Sequence, residues 1–304
     1  MARKILITDA FSSVGRAIYS VFQSSAYAVL SPPLNSLDWT DVASVQQYLV
    51  DNTVDVVINT AGWNEAPNKD QQLTLVQAAT ALATAAPEAG CVVIHLSSYR
   101  VFGGENKSSY DEDDVPVPLN AAGQAFLDAE RAFEARMERY LCVRVSWVLD
   151  IIGESIFWRL LKDLTSEGPE LEITHQRRGA PLSSAEIGRV ILAMTHQILC
   201  GAENWGVFHL ASGDPCSSAD VAEAVSDILQ REQLLKRQWR VETLSEEQLA
   251  KLGEPDSAAL TVRRCRDNFG YQICSWRQGL TGLVRAWLVQ QRLLPEKAAP
   301  SKIT

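Results

Sequence analysis

The first half of the chain alternates short, continuous apolar segments with longer amphipathic ones. The apolar segments are KILITDA (4–10), YAVLS (27–31), VDVVINTAG (54–62), CVVIHLSS (91–98) and YLCVRVSWVL (140–149). Runs of Val, Ile and Leu without polar alternation are typical of strands that are buried on both faces. The segments between them have helical periodicity and end at helix-capping residues. This alternation predicts an α/β fold with a doubly wound parallel sheet joined by right-handed crossovers.

The pattern loosens after Asp150. Short strand-like pieces such as LEITH and GVFHLAS are mixed with helical segments, and the last residues, EKAAPSKIT, have the composition of a frayed end. The sequence therefore predicts a Rossmann-like domain over 1–149 and a smaller substrate-type α/β domain over 150–295 that can interleave with the first. A flexible tail is expected over 296–304.

Charge and composition exclude several classes of function. The net charge of −9 and the isoelectric point near 5.1 argue against nucleic acid and against an anionic membrane as partners. No apolar run reaches the ~18 residues of a membrane span, and the start of the chain has no leader pattern, so we expect a cytoplasmic protein. The six cysteines form no C-x-x-C and no metal-ligand spacing, so no metal site is expected.

Several motifs in a fixed order carry a family resemblance. They are LSSYRVFGG (96–104), SYDEDDVPVPLN (109–120), VRVSWVL (143–149), RRGAP (177–181) and SWRQGL (275–280). With these motifs the chain resembles the dTDP-4-dehydrorhamnose reductases, a branch of the extended short-chain dehydrogenase/reductase superfamily. It is similar as well to a non-catalytic relative, the regulatory β subunit of methionine adenosyltransferase. The resemblance implies an NAD(P)-binding-type first domain and a nucleotide-sugar-binding second domain.

The resemblance also implies a catalytic set that this chain has largely lost. Catalytic members carry a tyrosine, and one helical turn later a lysine, after the Pro-Leu-Asn that ends at Asn120. The lysine charge lowers the tyrosine pKa so that the hydroxyl can give a proton to the carbonyl that is being reduced. Here Ala122 and Phe126 occupy those positions, and only the family's serine remains, as Ser98.

The phosphate-binding turn that the resemblance implies also lacks residues that catalytic members carry. The resemblance implies a Gly-x-x-Gly-x-x-Gly turn after the first strand, but Asp9, Ser12 and Gly15 stand at the glycine positions. A carboxylate at Asp9 would repel a diphosphate. Arg16 and Ser12, together with Trp63 after the third strand, are the remaining candidates for contact with a dinucleotide. We therefore expect no cofactor, with NAD(P) binding left open.

On the substrate side, Arg177 stands in place of the glutamine of the family's Gln-x-Gly-x-Pro. Arg100, Arg177 and Arg178 are the candidate remnants of a nucleotide-sugar site, because guanidinium groups pair well with diphosphates. Tyr99, beside Arg100, is an alternative acid. Neighbouring strand residues face opposite ways, so it shares a pocket with Ser98 only if the chain bends there.

Three functions remain open on this basis. The first is a pseudoenzyme with a regulatory or scaffolding role, together with a protein partner or a second copy of itself. The second is an active NAD(P)H-dependent nucleotide-sugar reductase or epimerase with a rearranged site. The third is a sensor that binds a sugar nucleotide without turnover. The combined losses at Asp9, Ser12, Ala122 and Phe126 favour the first.

Overall fold

The computed structural model describes residues 2–33, 36–104, 107–152, 155–271 and 274–295. The strands of the first half are β1 (Lys4–Ile7), β2 (Ala28–Leu30), β3 (Val56–Asn59), β4 (Val92–Ser98) and β5 (Tyr140–Val145). The helices between them are α1 (Ser13–Gln23), α2 (Val42–Asp51), α3 (Lys69–Glu88) and α4 (Ala121–Glu134), and a 3₁₀ turn over Tyr99–Val101 follows β4.

The second half contains shorter strands and the remaining helices. Its strands are β6 (Val148–Leu149), β7 (Leu171–Ile173), β8 (Arg178–Gly179), β9 (Leu182–Ser183), β10 (Gly206–Leu210), β11 (Cys216–Ser217), β12 (Trp239–Val241) and β13 (Ser257–Ala258). Its helices are α5 (Ile156–Leu164), α6 (Ser184–Leu199), α7 (Ser218–Arg231), α8 (Glu246–Lys251), α9 (Arg263–Phe269) and α10 (Leu280–Gln290).

The main sheet confirms the predicted parallel, doubly wound arrangement. Its strand order is β10-β5-β4-β3-β1-β2, and every neighbouring pair is parallel. Strands β3, β4 and β5 are buried along their whole length, as the continuous apolar runs predict. The sixth strand, β10, comes from beyond residue 149. The two parts into which the sequence divides the chain therefore share one sheet.

Helices cover the sheet in two groups. Helix α1 packs against α6, and α3 packs against both α2 and α4. The main core lies between these helices and the sheet. A second apolar cluster joins α5, α7 and α10 around Trp276 and Trp287, and it forms the body of the smaller part. The carboxyl ends of the parallel strands open toward this second part, which is where ligands bind in open α/β sheets.

Helix α3 begins at Lys69, where Asn68 and Gln71 form a capping box. One element differs from the prediction for a local reason. The predicted strand over 140–149 is two strands, because the chain turns at Ser146. The Ser146 hydroxyl donates to the Ala258 carbonyl at 2.6 Å and accepts from the Ala180 amide at 3.0 Å.

None of the helices within the described ranges is long and apolar enough to cross a bilayer. The tail predicted over 296–304 lies outside the described residues.

Candidate functional site

The loop after β1 is closed by its own side chains. The Asp9 carboxylate accepts hydrogen bonds from the amides of Phe11 and Ser12 at 2.9 and 3.0 Å. Ser12 is the N-cap of α1, and its hydroxyl accepts from the Gly15 amide at 3.2 Å. A Cβ atom at Gly15 would lie 1.7 Å from the Asp9 carbonyl oxygen, so this position requires glycine. The Asp9 charge is therefore held by the loop's own amides.

A cavity of about 700 Å³ opens at the N-terminus of α1, along the carboxyl edge of the sheet. Arg16 lines it with an exposed side chain, and Ser12 and Ser13 line it from the first turn of the helix. Trp63 closes one wall, and its buried indole donates to the Ser97 carbonyl at 3.1 Å. Asp150 and Ile152, which follow β5 in the chain, also line this cavity. The structure thus brings together the predicted candidates Ser12, Arg16 and Trp63.

A second, smaller cavity of about 80 Å³ lies beside the first, within the second part of the chain. Its walls are largely apolar, and Arg177 and Ser218 contribute polar groups. The apolar walls include Trp147, Leu149, Ile156, Phe157, Leu160 and Val221. Among the lining residues, Glu65 and Val148 belong to both cavities. These two residues therefore mark the junction between the larger and the smaller cavity.

Glu65 is held at this junction by backbone groups of the second part. One carboxylate oxygen accepts from the Val148 amide at 2.9 Å, and the other accepts from the Ile156 amide at 3.3 Å. Ile156 is the first residue of α5, so the carboxylate lies at a helix N-terminus. Burial raises the pKa of Glu65 to about 7, although both amides and Arg100 act in the opposite direction.

The two arginines predicted on the substrate side share one carboxylate. An Arg100 guanidinium nitrogen lies 3.0 Å from Glu254, and Arg177 pairs with the other oxygen of the same carboxylate. The Arg100 side chain is 3% exposed and also donates to the Glu65 carbonyl. Arg178, the third predicted arginine, is exposed on β8, and its backbone pairs with β11 and β13. The structure therefore places Arg100 and Arg177 together at the Glu254 carboxylate.

The family's catalytic positions lie apart from both cavities. Phe126 is fully buried in the main core on the inner face of α4, and Ala122 is partly exposed one turn earlier. The Ser98 side chain is buried, and its hydroxyl accepts from the Arg100 amide at 3.3 Å at the start of the 3₁₀ turn. Among the described residues that line the two cavities, none is Ser98, Ala122 or Phe126.

The chain does bend after Ser98, because Tyr99 begins the 3₁₀ turn. Tyr99 is only 2% exposed, and burial raises the pKa of its hydroxyl, while the neighbouring Arg100 and Arg177 act in the opposite direction. A buried phenol with a raised pKa is a poor proton donor near neutral pH.

The buried Glu130 carboxylate links the middle of α4 to the sheet. Glu130 on α4 makes a bidentate pair with Arg144 on β5, at 2.9 and 2.7 Å. Both side chains are about 5% exposed, and the Ser97 hydroxyl donates to the same carboxylate. Burial lowers the pKa of Arg144, but the hydrogen bonds and charge of Glu130 outweigh it and leave the pKa raised. This cluster ties α4 to the centre of the sheet.

The motifs, the sheet order and the paired cavities place this chain among known proteins. A family model described as the RmlD substrate binding domain matches residues 3–288. The chain belongs to the RmlD substrate binding domain family. This match confirms, over almost the whole chain, the family resemblance that the motifs indicated.

Relatives of this RmlD-family chain include a reductase and a subunit of another enzyme. The dTDP-4-dehydrorhamnose reductase of Aggregatibacter actinomycetemcomitans is 25% identical over 292 residues, which cover 93% of this chain and 98% of the relative. The methionine adenosyltransferase 2 subunit beta of Xenopus laevis is 27% identical over 241 residues, covering 74% of this chain and 72% of the relative.

Two solved structures share the fold. A dTDP-4-dehydrorhamnose reductase ortholog from Clostridium acetobutylicum has a TM-score of 0.81 and 26% identity, covering 94% of this chain and 99% of its own. The dTDP-4-dehydrorhamnose reductase of Bacillus anthracis, solved in complex with NADP, has a TM-score of 0.78 and 21% identity, covering 95% and 100%.

The NADP complex corrects one expectation from the sequence. We expected no cofactor, and this was wrong, because a structural relative that covers 95% of the chain binds NADP. The expectation treated Asp9 as a free charge facing a diphosphate. In the structure, the amides of Phe11 and Ser12 hold that carboxylate, and the cavity beside it stays open.

Sequence reasoning did not identify Glu65 or Glu254. The position of Glu65 shortly after β3, at the carboxyl end of a parallel strand, was the available signal. Glu254 had no such signal, because its partners Arg100 and Arg177 lie far away in the chain. Within the described ranges, no group of three or more His, Cys, Asp and Glu side chains is arranged to hold a metal ion.

Proposed function

We propose that this chain is a nicotinamide-dinucleotide-dependent oxidoreductase of sugar nucleotides with a rearranged active site. The observation that carries the proposal is the open cavity at the N-terminus of α1, which adjoins a second cavity at the Glu65 junction. Adjoining cavities at the carboxyl edge of a doubly wound sheet suit two ligands that must touch. The reductase relatives support the choice of substrate class.

The residues around the larger cavity fit a dinucleotide. The N-terminus of α1 directs amide groups and a positive dipole end toward the cavity, which favours a diphosphate. Arg16 supplies the cation, and the Ser12 and Ser13 hydroxyls lie beside it. Trp63 presents a flat apolar wall for a ring. Arg16 and Ser13 would hold the phosphates, and Trp63 would hold a base or the nicotinamide.

The smaller cavity, of about 80 Å³, can receive one ring of a sugar nucleotide, and the rest of that ligand must extend out of it. Trp147 and Phe157 provide apolar surface for a base or a sugar ring, and Arg177 provides a guanidinium for a diphosphate. Because Glu254 pairs with Arg177, an incoming diphosphate would compete with that carboxylate. The bound nicotinamide would supply or accept the hydride. The proton on the sugar oxygen must come from the protein, and neither Ala122 nor Phe126 can provide it.

A second function is favoured by one specific observation. Phe126 is fully buried in the core, so the family's lysine position has become part of the packing. A chain that binds the same ligands without turnover would act as a sensor or a regulatory subunit, and the Xenopus relative is by its name a subunit of an adenosyltransferase. A protein partner, a homodimer and a cytoplasmic location remain predictions.

Calorimetric titration of the purified chain with NADPH, NADH and dTDP-4-dehydrorhamnose tests the proposal. We expect a dissociation constant below ~100 μM for one of the two dinucleotides, which corresponds to ~5.5 kcal/mol of binding free energy. Arg16→Ala should weaken that binding about tenfold, since a charged phosphate contact contributes about 1.4 kcal/mol or more.

Arg131→Ala is the matched control, because Arg131 is an exposed arginine on α4, away from the cavities. It should leave the affinity unchanged. Absence of binding at millimolar dinucleotide would overturn the proposal. Binding of both ligands without oxidation of NADPH would favour the second function.

A further inference from the structure

The position of Glu65 is fixed from three separate segments of the chain. Its two carboxylate oxygens accept from the amides of Val148 and Ile156, and its backbone carbonyl accepts from the Arg100 side chain. The amides belong to β6 and to the first turn of α5. A carboxyl group held in this way has a defined direction, which proton transfer requires.

Glu65 also lies where two ligands would meet. Hydride transfer requires the nicotinamide and the sugar carbon to be in contact. If the dinucleotide fills the larger cavity and the sugar ring of the sugar nucleotide enters the smaller one, the reacting carbon lies at their junction. Glu65 and Val148 are the residues that line both cavities. Of these two, Glu65 has a side chain that can carry a proton.

The surroundings of Glu65 suit a group that changes its protonation near neutral pH. Burial raises its pKa to about 7, and the Asp150 carboxylate acts in the same direction. Arg100 and the two amides lower it. Tyr99 and Arg177 also interact electrostatically with it. A pKa close to the working pH maximises general acid and base efficiency.

We propose that the Glu65 carboxyl is the proton donor and acceptor of the reaction, in place of the tyrosine that position 122 lacks. This inference rests on the proposed function. In the reducing direction, the C=O π bond of the sugar breaks as the carbon receives hydride from the reduced dinucleotide. The carbonyl oxygen takes its proton from a Glu65 Oε atom. The dinucleotide is oxidised, the alcohol is released, and the Glu65 carboxylate regains its proton from solvent.

The first measurement is turnover of NADPH with dTDP-4-dehydrorhamnose between pH 5.5 and 8.5. For the wild type, kcat should fall as pH rises through about 7, because the protonated form of Glu65 is consumed. Glu65→Gln should lower kcat by ~10²- to 10⁴-fold and abolish this pH dependence. Glu65→Asp keeps a carboxyl group and should recover part of the rate.

The second measurement is independent of activity. Carbon NMR of the ligand-free protein labelled at glutamate carboxyl carbons should show one resonance that titrates near pH 7 and disappears in Glu65→Gln. Glu88→Gln is the matched control, because Glu88 is exposed at the end of α3 and hydrogen-bonds to Gln46 there. It should change neither that resonance nor the pH profile. Glu65→Gln should bind NADPH with an affinity within ~3-fold of the wild type.

The outcomes separate the two proposals. Wild-type turnover that Glu65→Gln retains within ~3-fold overturns the role of Glu65 and leaves the proposed function standing. A Glu65 resonance that titrates at the ordinary glutamate value also overturns it. Failure of the wild type to bind NADPH overturns the proposed function itself. Binding of both ligands without turnover overturns the proton-transfer role and selects the sensor or regulatory function.

Discussion

Two glutamates, the buried Glu130 and the partly buried Glu65, have opposite environments. Glu130, on α4, is matched by the guanidinium of Arg144 and by the Ser97 hydroxyl. Glu65, between the cavities, has backbone amides as the partners of its carboxylate, and burial raises its pKa to about 7. A buried carboxylate with a bidentate cation holds elements of the fold together. A partly buried carboxylate that has backbone amides and no bidentate cation as hydrogen-bond partners can exchange a proton.

This contrast also separates the two ends of α4. The C-terminal half is linked to the sheet by the charge of Glu130. The N-terminal half carries Ala122 and Phe126, and Phe126 is part of the core. The helix therefore serves packing along its length, while the glutamate with the raised pKa lies on the loop after β3.

The largest expected effect is the loss of stability when Glu130 is replaced. Glu130→Gln removes the charge that compensates Arg144 and should lower the free energy of unfolding by about 3–5 kcal/mol, measured by urea denaturation. Glu134→Gln, on the exposed face of the same helix, is the control and should change stability by less than about 0.5 kcal/mol. Equal effects of the two substitutions would show that the buried pair does not hold α4 to the sheet.

The second prediction concerns stability as a function of pH. The pKa of Glu65 is raised from 4.5 to about 7 in the folded protein. The folded state therefore holds this proton more tightly than the unfolded state does. Its stabilising contribution is complete below pH ~4.5 and is lost as pH rises through about 7.

Between pH 5 and pH 8, the wild type should thus lose up to about 3 kcal/mol of stability relative to Glu65→Gln, measured by chemical unfolding at each pH. The difference in unfolding free energy between the wild type and Glu88→Gln should not change with pH. If the difference between the wild type and Glu65→Gln did not change with pH either, the contrast between the two glutamates would be contradicted.

The smallest effect is expected within the Glu130 cluster. Ser97→Ala removes one hydrogen bond to the Glu130 carboxylate but leaves the bidentate pair, so it should cost about 1.5 kcal/mol by thermal or urea unfolding. Ser20→Ala, on the exposed side of α1, is the control and should be close to neutral. A loss from Ser97→Ala as large as that from Glu130→Gln would mean that the hydroxyl, rather than the ion pair, dominates the cluster.

The fold could be predicted because each strand of the first half carries its own signal. The segments of β3 and β4 are continuous apolar runs, and the helix before β3 begins at the capping residue Asp41. The GVFHL segment read as a strand too, but its place in the main sheet could not be read. Pairing with β5 is a long-range contact that no local pattern specifies.

The candidate site was less accessible from the sequence for a similar reason. Ser12, Arg16 and Trp63 were found from the family motifs and do line one cavity. Glu65 depends on the amides of Val148 and Ile156, which lie 83 and 91 residues further along the chain. Its pKa is a property of that tertiary environment, since a glutamate in a loop carries no such signal in its sequence.

The late position of β10 has a consequence for the edge of the main sheet. In a sheet that lacks residues 206–210, β5 would pair with β4 alone and form the edge of five strands. That edge is an apolar strand with unpaired amides and carbonyls, the kind of surface on which nascent chains associate. A fragment ending at residue 149 would keep this edge permanently. The second half of the chain therefore supplies the strand that covers this edge.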